Sequence, residues 1–285
     1  SIIKTGKAGE IMIRDITIGQ YYPAESPIHR LDARVKIVVT FLFIISLFVV
    51  NTFIGYVCVT AILGAVIKVS KVPLKFMLKG LKSIVIIILF TAVINLFLTQ
   101  GEQVIWEFGF LHLTWEGIYM AVKMCVRLVL LIVGSSVLTL TTTPIQLTDG
   151  IEYLLRPLKR IGVPAHEIAM MMTIALRFIP TLLDETDKII KAQQARGADF
   201  DTGNLMQKAK SMIPILVPLF ISAFRRAEEL AMAMEARCYH GDEHRTRMNV
   251  MHMESRDYRA VVMTAVYLVF VVALRIAGNY LPFMI

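Results

Sequence analysis

Two short segments of this chain each place an arginine between small residues: Ala195-Arg196-Gly197 and Ala236-Arg237-Cys238. The guanidinium group carries five donors in a planar fork, which suits a bidentate contact with a carboxylate or with carbonyl oxygens. Small neighbours leave that fork unobstructed. We therefore interpret the two segments as contact points for a partner molecule.

An arginine at a helix end also has a purely structural use. A cation in the last turn complements the negative end of the helix dipole by about 0.3–1 kcal/mol. In that interpretation both segments are helix caps. Their repetition favours the contact interpretation, and the cap remains the alternative.

A second pair of cations, Lys123 and Arg127, lies four residues apart within an apolar segment. A charge inside a membrane costs about 2.5–3.5 kcal/mol on insertion scales, so it usually faces water or a partner. One interpretation is an intramembrane polar face towards another helix or subunit. In the other, Lys123 extends to the membrane surface and Arg127 is paired inside the protein.

Two further patterns resemble metal sites. In Asp184-Glu185-x-Asp187 the adjacent carboxylates do not share a helix face, which favours a solvated, lysine-balanced surface. The segment Cys238-x-His240-x3-His244 lacks a fourth ligand. There is no phosphate loop, HExxH, GxSxG or dinucleotide motif, so the sequence predicts no catalytic residue, no metal or cofactor site, and no ATP hydrolysis by the chain itself.

The elements that must position these arginines are unusually apolar. Hydrophobic residues make up 56% of the 285 residues and mean hydropathy is +0.64, against roughly 45–50% apolar in soluble domains. The sequence therefore predicts an integral membrane protein. The net charge of +8 comes without a nucleic-acid motif and reflects membrane topology instead. Apolar runs near the length of a membrane span lie at about 35–50, 52–69, 83–99, 117–140 and 259–281.

Lysine and arginine are concentrated in residues 1–36 and 68–82, whereas residues 100–116 have only acidic charges. The positive-inside rule then places the N-terminus and the 68–82 loop in the cytoplasm and the 100–116 loop outside. The aromatic residues of that outer loop suit the membrane interface. The C-terminus is expected outside as well. Residues 1–11, which precede Met12, are expected to be a remnant or to lie ahead of an alternative start.

Residues 141–258 mix charges of both signs with apolar stretches. Their periodicity predicts three amphipathic helices in or under the inner leaflet, at about 145–160, 165–197 and 204–238. Prolines at 180, 214 and 218 predict kinks in the two longer helices. Each long helix ends in one arginine segment. Whether 165–183 or 212–224 enters the membrane is left open by the sequence.

Several segments together resemble the transmembrane T component (EcfT, CbiQ-like) of energy-coupling factor (ECF) transporters, from about Ile18 onwards. They are His29-Arg30-Leu31-Asp32-Ala33-Arg34-Val35-Lys36, the stretch from Ala175 to Leu182, Ala195 to Phe200, and Met234-Glu235-Ala236-Arg237. The resemblance implies that Arg196 and Arg237 dock into grooves of two ATPase subunits. Cys238 departs from the family pattern, where glycine is commoner, and cysteine disfavours a left-handed helix end.

We therefore expect an all-α integral membrane protein with about 5–6 transmembrane helices and long amphipathic cytoplasmic coupling helices. Its segments would be 1–34 cytoplasmic, 35–140 transmembrane, 141–258 coupling helices and 259–285 a final span. The resemblance implies a bacterial cell-membrane subunit that couples two ABC-type ATPases, a heterodimer binding ATP and Mg, to a substrate-binding S component for vitamin or metal-ion uptake. Alternatives are a self-sufficient transporter, which would need polar groups such as Asn95, Ser135 and Ser136 to converge, and a conventional ABC-importer permease.

Overall fold

A computed structural model describes residues 21–98, 104–108, 111–198, 200, 205–239, 241 and 251–280. Within them, helices dominate. They are α1 Ala33–Val49, α2 Phe53–Ser70, α3 Leu74–Leu98, α4 Trp115–Thr141, α5 Pro144–Leu155, α6 Ala165–Ala195, α7 Leu205–Ala236 and α8 Ser255–Tyr280, with a 3-10 turn at Arg156–Ile161. The all-α membrane architecture predicted from the sequence is confirmed.

Four of these helices, α2, α4, α6 and α8, are long and apolar enough to cross a membrane by length and composition, judged over the described residues. A fifth candidate is α3, which bends between Leu74–Lys82 and Ile84–Phe97. With 17 residues, α1 reaches about 25 Å, just short of the roughly 30 Å of a hydrocarbon core.

The helices begin where side chains can cap them. Asp32 accepts a hydrogen bond from the Arg34 amide at 2.9 Å, Thr52 from Gly55 at 3.3 Å and Thr114 from Gly117 at 3.1 Å. Each bond satisfies one of the amides that a helix start leaves without a partner. Such caps matter more here than in a soluble protein, because hydrocarbon offers no water as a substitute.

Two elements differ from the sequence-based expectations. Helix α3 starts at Leu74 instead of near residue 83, directly after Pro73. Its first turns carry lysines, so hydropathy detects only the later, apolar part. The expected outer loop contains a small antiparallel hairpin, β1 Val104–Phe108 and β2 Leu111–Thr114, which the sequence analysis did not predict.

The chain divides into two compact units with the boundary inside α5, after Ile151. The bundle unit contains α1 to α4, the first part of α5, the hairpin and α8. The helix-pair unit contains α6 and α7. The core of the bundle unit is formed by apolar side chains from α1, α2, α3, α4 and α8, including Leu47, Val59, Met77, Leu130, Val137 and Val271.

Three ends of the bundle unit's helices meet in a polar cluster, which we call the polar junction. Asp257, in the first turn of α8, accepts hydrogen bonds from the Asp32 amide at 2.8 Å and the Glu254 amide at 2.9 Å. Arg34 donates to the Met251 carbonyl at 2.7 Å and pairs with Asp32 at 3.1 Å. The junction therefore joins the start of α1 to the start of α8.

Lys36 extends the polar junction to a third helix. Its ammonium donates to the His29 carbonyl at 3.0 Å and to the Thr141 carbonyl at the end of α4 at 2.8 Å. His29 lies outside the helices, between Ser26 and the Tyr22 carbonyl. Burial lowers the pKa of His29, the Tyr22 carbonyl opposes this shift, and Lys36 adds to it. The ring is therefore neutral near pH 7 and bridges these two neighbours.

Asp257 is expected to be the most sensitive member of the junction, since its side chain is buried and accepts two amides. Replacing it (Asp257→Asn) removes the charge and sets an NH2 group against a donor. We expect a loss of about 2–3 kcal/mol in the free energy of unfolding of the full chain in detergent micelles. Thermal or denaturant unfolding would measure it.

The matched control is Glu254→Gln, three residues earlier. Glu254 pairs with Arg256 at the surface, with side-chain exposures of 58% and 37%. Exposed pairs contribute about 0–1 kcal/mol. Equal destabilisation by the two substitutions would contradict a structural role for the junction.

Candidate functional site at two helix ends

The Arg196 segment ends α6 in a defined way. Helix α6 stops at Ala195, Arg196 is the C-cap, and Gly197 is left-handed with φ of 88°. The Gly197 amide donates to the Gln194 carbonyl at 2.9 Å, and the Ala198 amide donates to the Gln193 carbonyl at 3.0 Å. This pair of bonds is the Schellman motif, which satisfies the last carbonyls of a helix.

The Arg237 segment ends α7 with the same geometry. The last helical residue is Ala236, and Cys238 is left-handed with φ of 54°. The Cys238 amide donates to the Glu235 carbonyl at 2.9 Å, and the Tyr239 amide to the Met234 carbonyl at 3.0 Å. Cysteine thus occupies the position that glycine holds in the first segment, although its Cβ makes that conformation costly.

The two helices run antiparallel, so their arginines lie far apart. Near the end of α7, the Tyr239 hydroxyl contacts the Met170 sulfur at 2.9 Å, close to the start of α6. Arg196 lies at the other end of α6, roughly 40 Å away at about 1.5 Å per residue. Both arginines are exposed. The arrangement presents two separate cationic ends.

A polar contact holds the middle of the helix pair together. Glu185 of α6 accepts from the Arg226 guanidinium of α7 at 2.9 Å and from the Ser222 hydroxyl. Glu185 stays partly exposed, at 24% of its side chain, and it also joins the two helices, which the sequence-based interpretation as a solvated surface did not include. Asp184 and Asp187 lie beside it in sequence, but the helix turns them to other directions, as expected for neighbouring residues. The spacing of residues in the sequence could not predict this pair, because its two members lie on different helices.

A second cross-helix contact lies near a proline. Pro218 has no amide hydrogen, so the Pro214 carbonyl, four residues earlier, lacks its helical donor. The Gln193 side chain of α6 donates to that carbonyl at 3.4 Å. The sign of this contact in the sequence is Pro218, because its missing amide hydrogen leaves the Pro214 carbonyl open to another donor. Gln193 lies within the turn that ends in Arg196.

The intramembrane cations lie in the bundle unit, apart from the helix ends. Arg127 of α4 donates to the Tyr56 hydroxyl of α2 at 2.8 Å, and its guanidinium carbon lies 5.4 Å from the Phe48 ring centroid. It also reaches the Val50 carbonyl at 3.5 Å, at the end of α1. Lys123 lies over the Tyr119 ring at 5.8 Å. The contacts of Arg127 thus hold α4 against the turn between α1 and α2.

Among the described residues, no group of three or more His, Cys, Asp or Glu side chains is arranged to hold a metal ion. His240 and His244, which the sequence pattern joined to Cys238, lie outside the described residues, as do residues 1–11. Cys58 and Cys125 are free thiols.

Comparison with known proteins gives the family. The family described as "CbiQ: Cobalt transport protein" matches residues 24–248. An "energy-coupling factor transporter transmembrane protein EcfT" of Ruminiclostridium cellulolyticum is 59% identical over 261 residues, covering 92% of this chain and 97% of the relative. The protein of the same description from Bacillus subtilis is 45% identical over 251 residues, covering 88% of this chain and 95% of that relative.

The family match spans both arginine segments and the junction residues from His29 to Lys36. The chain belongs to the CbiQ family and is a transmembrane component of an energy-coupling factor transporter.

Proposed function

We propose that the chain is the non-catalytic coupling subunit of an ATP-driven importer for a vitamin or a metal ion. It would transmit conformational change from two ATPase subunits to a substrate-binding S component. The observation that carries the proposal is the pair of exposed arginines on two identically built helix ends, roughly 40 Å apart along α6. Two separated ends of equal geometry suit two similar partners.

Each arginine would contact one ATPase subunit of a heterodimer. The left-handed residue after each arginine, Gly197 or Cys238, turns the chain away from the helix axis. The arginine side chain is therefore the last one before the chain leaves the helix. A planar fork in that position can bind carboxylates or helix-end carbonyls in a groove. ATP and Mg would be bound by the partners, because hydrolysis is their chemistry in this proposal.

Helices α6 and α7 would act as a lever. They have 31 and 32 residues, so each is about 45–50 Å long. The Glu185–Arg226 and Gln193–Pro214 contacts join them at two levels. A force on either arginine end would therefore move the pair as one body, with Pro180 and Pro218 as the positions where bending is easiest.

The S component would bind the apolar surface of this lever. Met171, Leu216 and Phe220 are more than half exposed, and α7 borders an apolar cavity of about 530 Å³ with Leu182 of α6. Methionine side chains adapt to different surfaces because they are unbranched. A surface of this kind suits several alternative S components.

Membrane orientation follows the charge pattern. The protein would lie in the bacterial cell membrane with its N-terminus, α6 and α7 on the cytoplasmic side and its C-terminus outside. Arg256 and Arg259 at the start of α8 are consistent with a cytoplasmic start for the last span.

A self-sufficient transporter would need polar side chains that converge on a substrate. Ser135 and Ser136 instead donate to the Ile132 carbonyl, at 3.0 and 2.7 Å, and Asn95 donates to Thr91 at 2.8 Å. Their hydrogen bonds are made within their own helices. Substrate binding by the purified chain alone, measured by calorimetry, would favour this rival over the coupling subunit.

The arginine ends can be tested directly. The double substitution Arg196→Ala with Arg237→Ala is expected to reduce co-purification of the ATPase subunits at least tenfold and to abolish substrate uptake, since truncating a buried arginine anchor costs 2 kcal/mol or more. The inserted protein should remain in the membrane fraction at its normal level.

The matched control is Lys188→Ala with Arg225→Ala, which removes two exposed cations from the same two helices away from their ends. It should leave assembly and uptake nearly unchanged. Equal loss in both double variants would mean that only charge matters. Unchanged assembly in the first would refute the docking role of the arginines.

The left-handed residues generate a second test. A Cβ at Gly197 would meet no atom within 4 Å, so Gly197→Ala costs only backbone strain, about 1 kcal/mol. Cys238→Gly should relieve a similar strain. We expect faster hydrogen exchange of the Ala198 amide in the first variant and slower exchange of the Tyr239 amide in the second, by about fivefold each.

Gly64→Ala is the control, because Gly64 lies inside α2 with open space around it. Alanine is favoured over glycine there. Exchange at Ala198 and Tyr239 that does not respond to the first two substitutions would show that the left-handed residues do not hold the helix ends.

A further inference from the structure

The bundle unit contains a large cavity that the coupling role does not use. It measures about 1030 Å³ and lies between α1, α2, α4 and α8. Helices α1 and α2, which a turn at 50–52 joins, both contribute residues to its walls. Its walls are mainly apolar, with Phe43, Leu63, Val66, Leu138 and Met263 among them. This volume is at the upper end of pockets that enclose drug-sized molecules.

One end of the cavity is cationic. Arg30, Lys71, Arg256 and Arg259 line it, and we call these four residues the basic rim. Arg30 precedes α1, Lys71 caps the end of α2, and the other two lie in the first turns of α8. The starts of α1 and α8 meet at the polar junction, and Lys71 lines the same cavity from the end of α2. The rim therefore lies at the mouth of an apolar space.

The rim's charge is only partly neutralised. Arg30 pairs with Glu25 at 3.2 Å, and Arg256 pairs with Glu254. Lys71 and Arg259 are exposed, and no carboxylate among the described residues forms an ion pair with either. Among the described residues, Lys71 and Arg259 thus place cationic groups beside the apolar cavity without an ion-pair partner, and Arg259 donates to the Ser255 carbonyl at 3.4 Å. Basic pockets between membrane helices bind anionic lipid head groups.

We propose that this cavity binds an anionic phospholipid, with its acyl chains against the apolar walls and its phosphate at Lys71 and Arg259. The joined apolar and cationic surfaces favour a lipid over a free phosphate, which would use only the rim. They also favour an anionic over a zwitterionic lipid, because the choline group of a zwitterionic lipid would be repelled by the positive charges of the basic rim. The proposal does not depend on how the chain couples to ATPases.

The first test is native mass spectrometry of the full chain in detergent, titrated with phosphatidylglycerol or phosphatidylcholine of identical acyl chains. Wild type is expected to bind phosphatidylglycerol about tenfold more tightly. The double substitution Lys71→Gln with Arg259→Gln should remove that preference. The matched control, Lys75→Gln with Arg275→Gln, removes the same residue types at exposed positions outside the cavity and should retain it.

Equal binding of the two lipids by wild type, or equal loss in both double variants, would overturn the proposal. Soluble glycerophosphoglycerol should compete weakly, since it lacks chains; competition as strong as that of the intact lipid would assign the site to a free phosphate ester instead. The apolar walls are tested by Val66→Trp, which fills the cavity, against Val57→Trp, an exposed position on the same helix that lies outside it. Only Val66→Trp should weaken phosphatidylglycerol binding.

The last test identifies the occupant in the assembled transporter. A photo-crosslinking amino acid at position 66, activated in native membranes, is expected to yield a phospholipid adduct after purification. An adduct with another protein would mean that a subunit fills the cavity, and would overturn the proposal even if the isolated chain binds lipid.

Discussion

The bundle unit depends on the hydrogen bonds that the buried carboxylate of Asp257 accepts at the starts of α1 and α8. A polar group that is buried at a helix end must find its partner inside the protein, because leaving it unpaired costs as much free energy as a lost hydrogen bond. Asp257 accepts hydrogen bonds from the amides of the residues just before α1 and α8. Arg34 donates to a carbonyl before α8, and Lys36 donates to the carbonyl of the last residue of α4. Long-range packing between apolar side chains can slide, whereas these bonds fix which ends meet. Burial of charge is tolerated here because each charged group has several partners.

The helix-pair unit follows a different constraint, that of rigidity. Long helices with internal prolines would bend, and the unit contains three such prolines, Pro180, Pro214 and Pro218. Glu185 and Gln193 bond to α7 on the same stretch of α6 that leads to Arg196. At one of these prolines the Gln193 side chain replaces the donor that Pro218 lacks, and the Glu185–Arg226 pair adds a second bond between the helices. At the end of α7, Tyr239 contacts Met170 of α6. Each of the two arginines therefore lies near a contact with the other helix.

The sequence predicted the helices well and their partners poorly. Apolar periodicity located α1, α2, α4, α6, α7 and α8 to within a few residues, because burial and lipid exposure both follow composition. It missed the first turns of α3, where lysines lower the hydropathy, and the β1–β2 hairpin, whose aromatic residues were interpreted only as residues of the membrane interface. The arginine segments could be found because their residues are contiguous. Glu185–Arg226 and Asp32–Asp257 could not, since such pairs depend on which helices become neighbours.

The same reasoning explains why Cys238 was hard to interpret from sequence. A left-handed residue is expected to be glycine, so cysteine predicted a different helix end. The structure instead forms the full Schellman bonds at Cys238, with the aromatic side chain of Tyr239 placed directly after it. Tyr239 contacts Met170 of α6, so the residue that follows the turn is held by a tertiary contact. The helix end thus combines a local conformation that disfavours cysteine with a contact between helices, which sequence reasoning at a single position does not include.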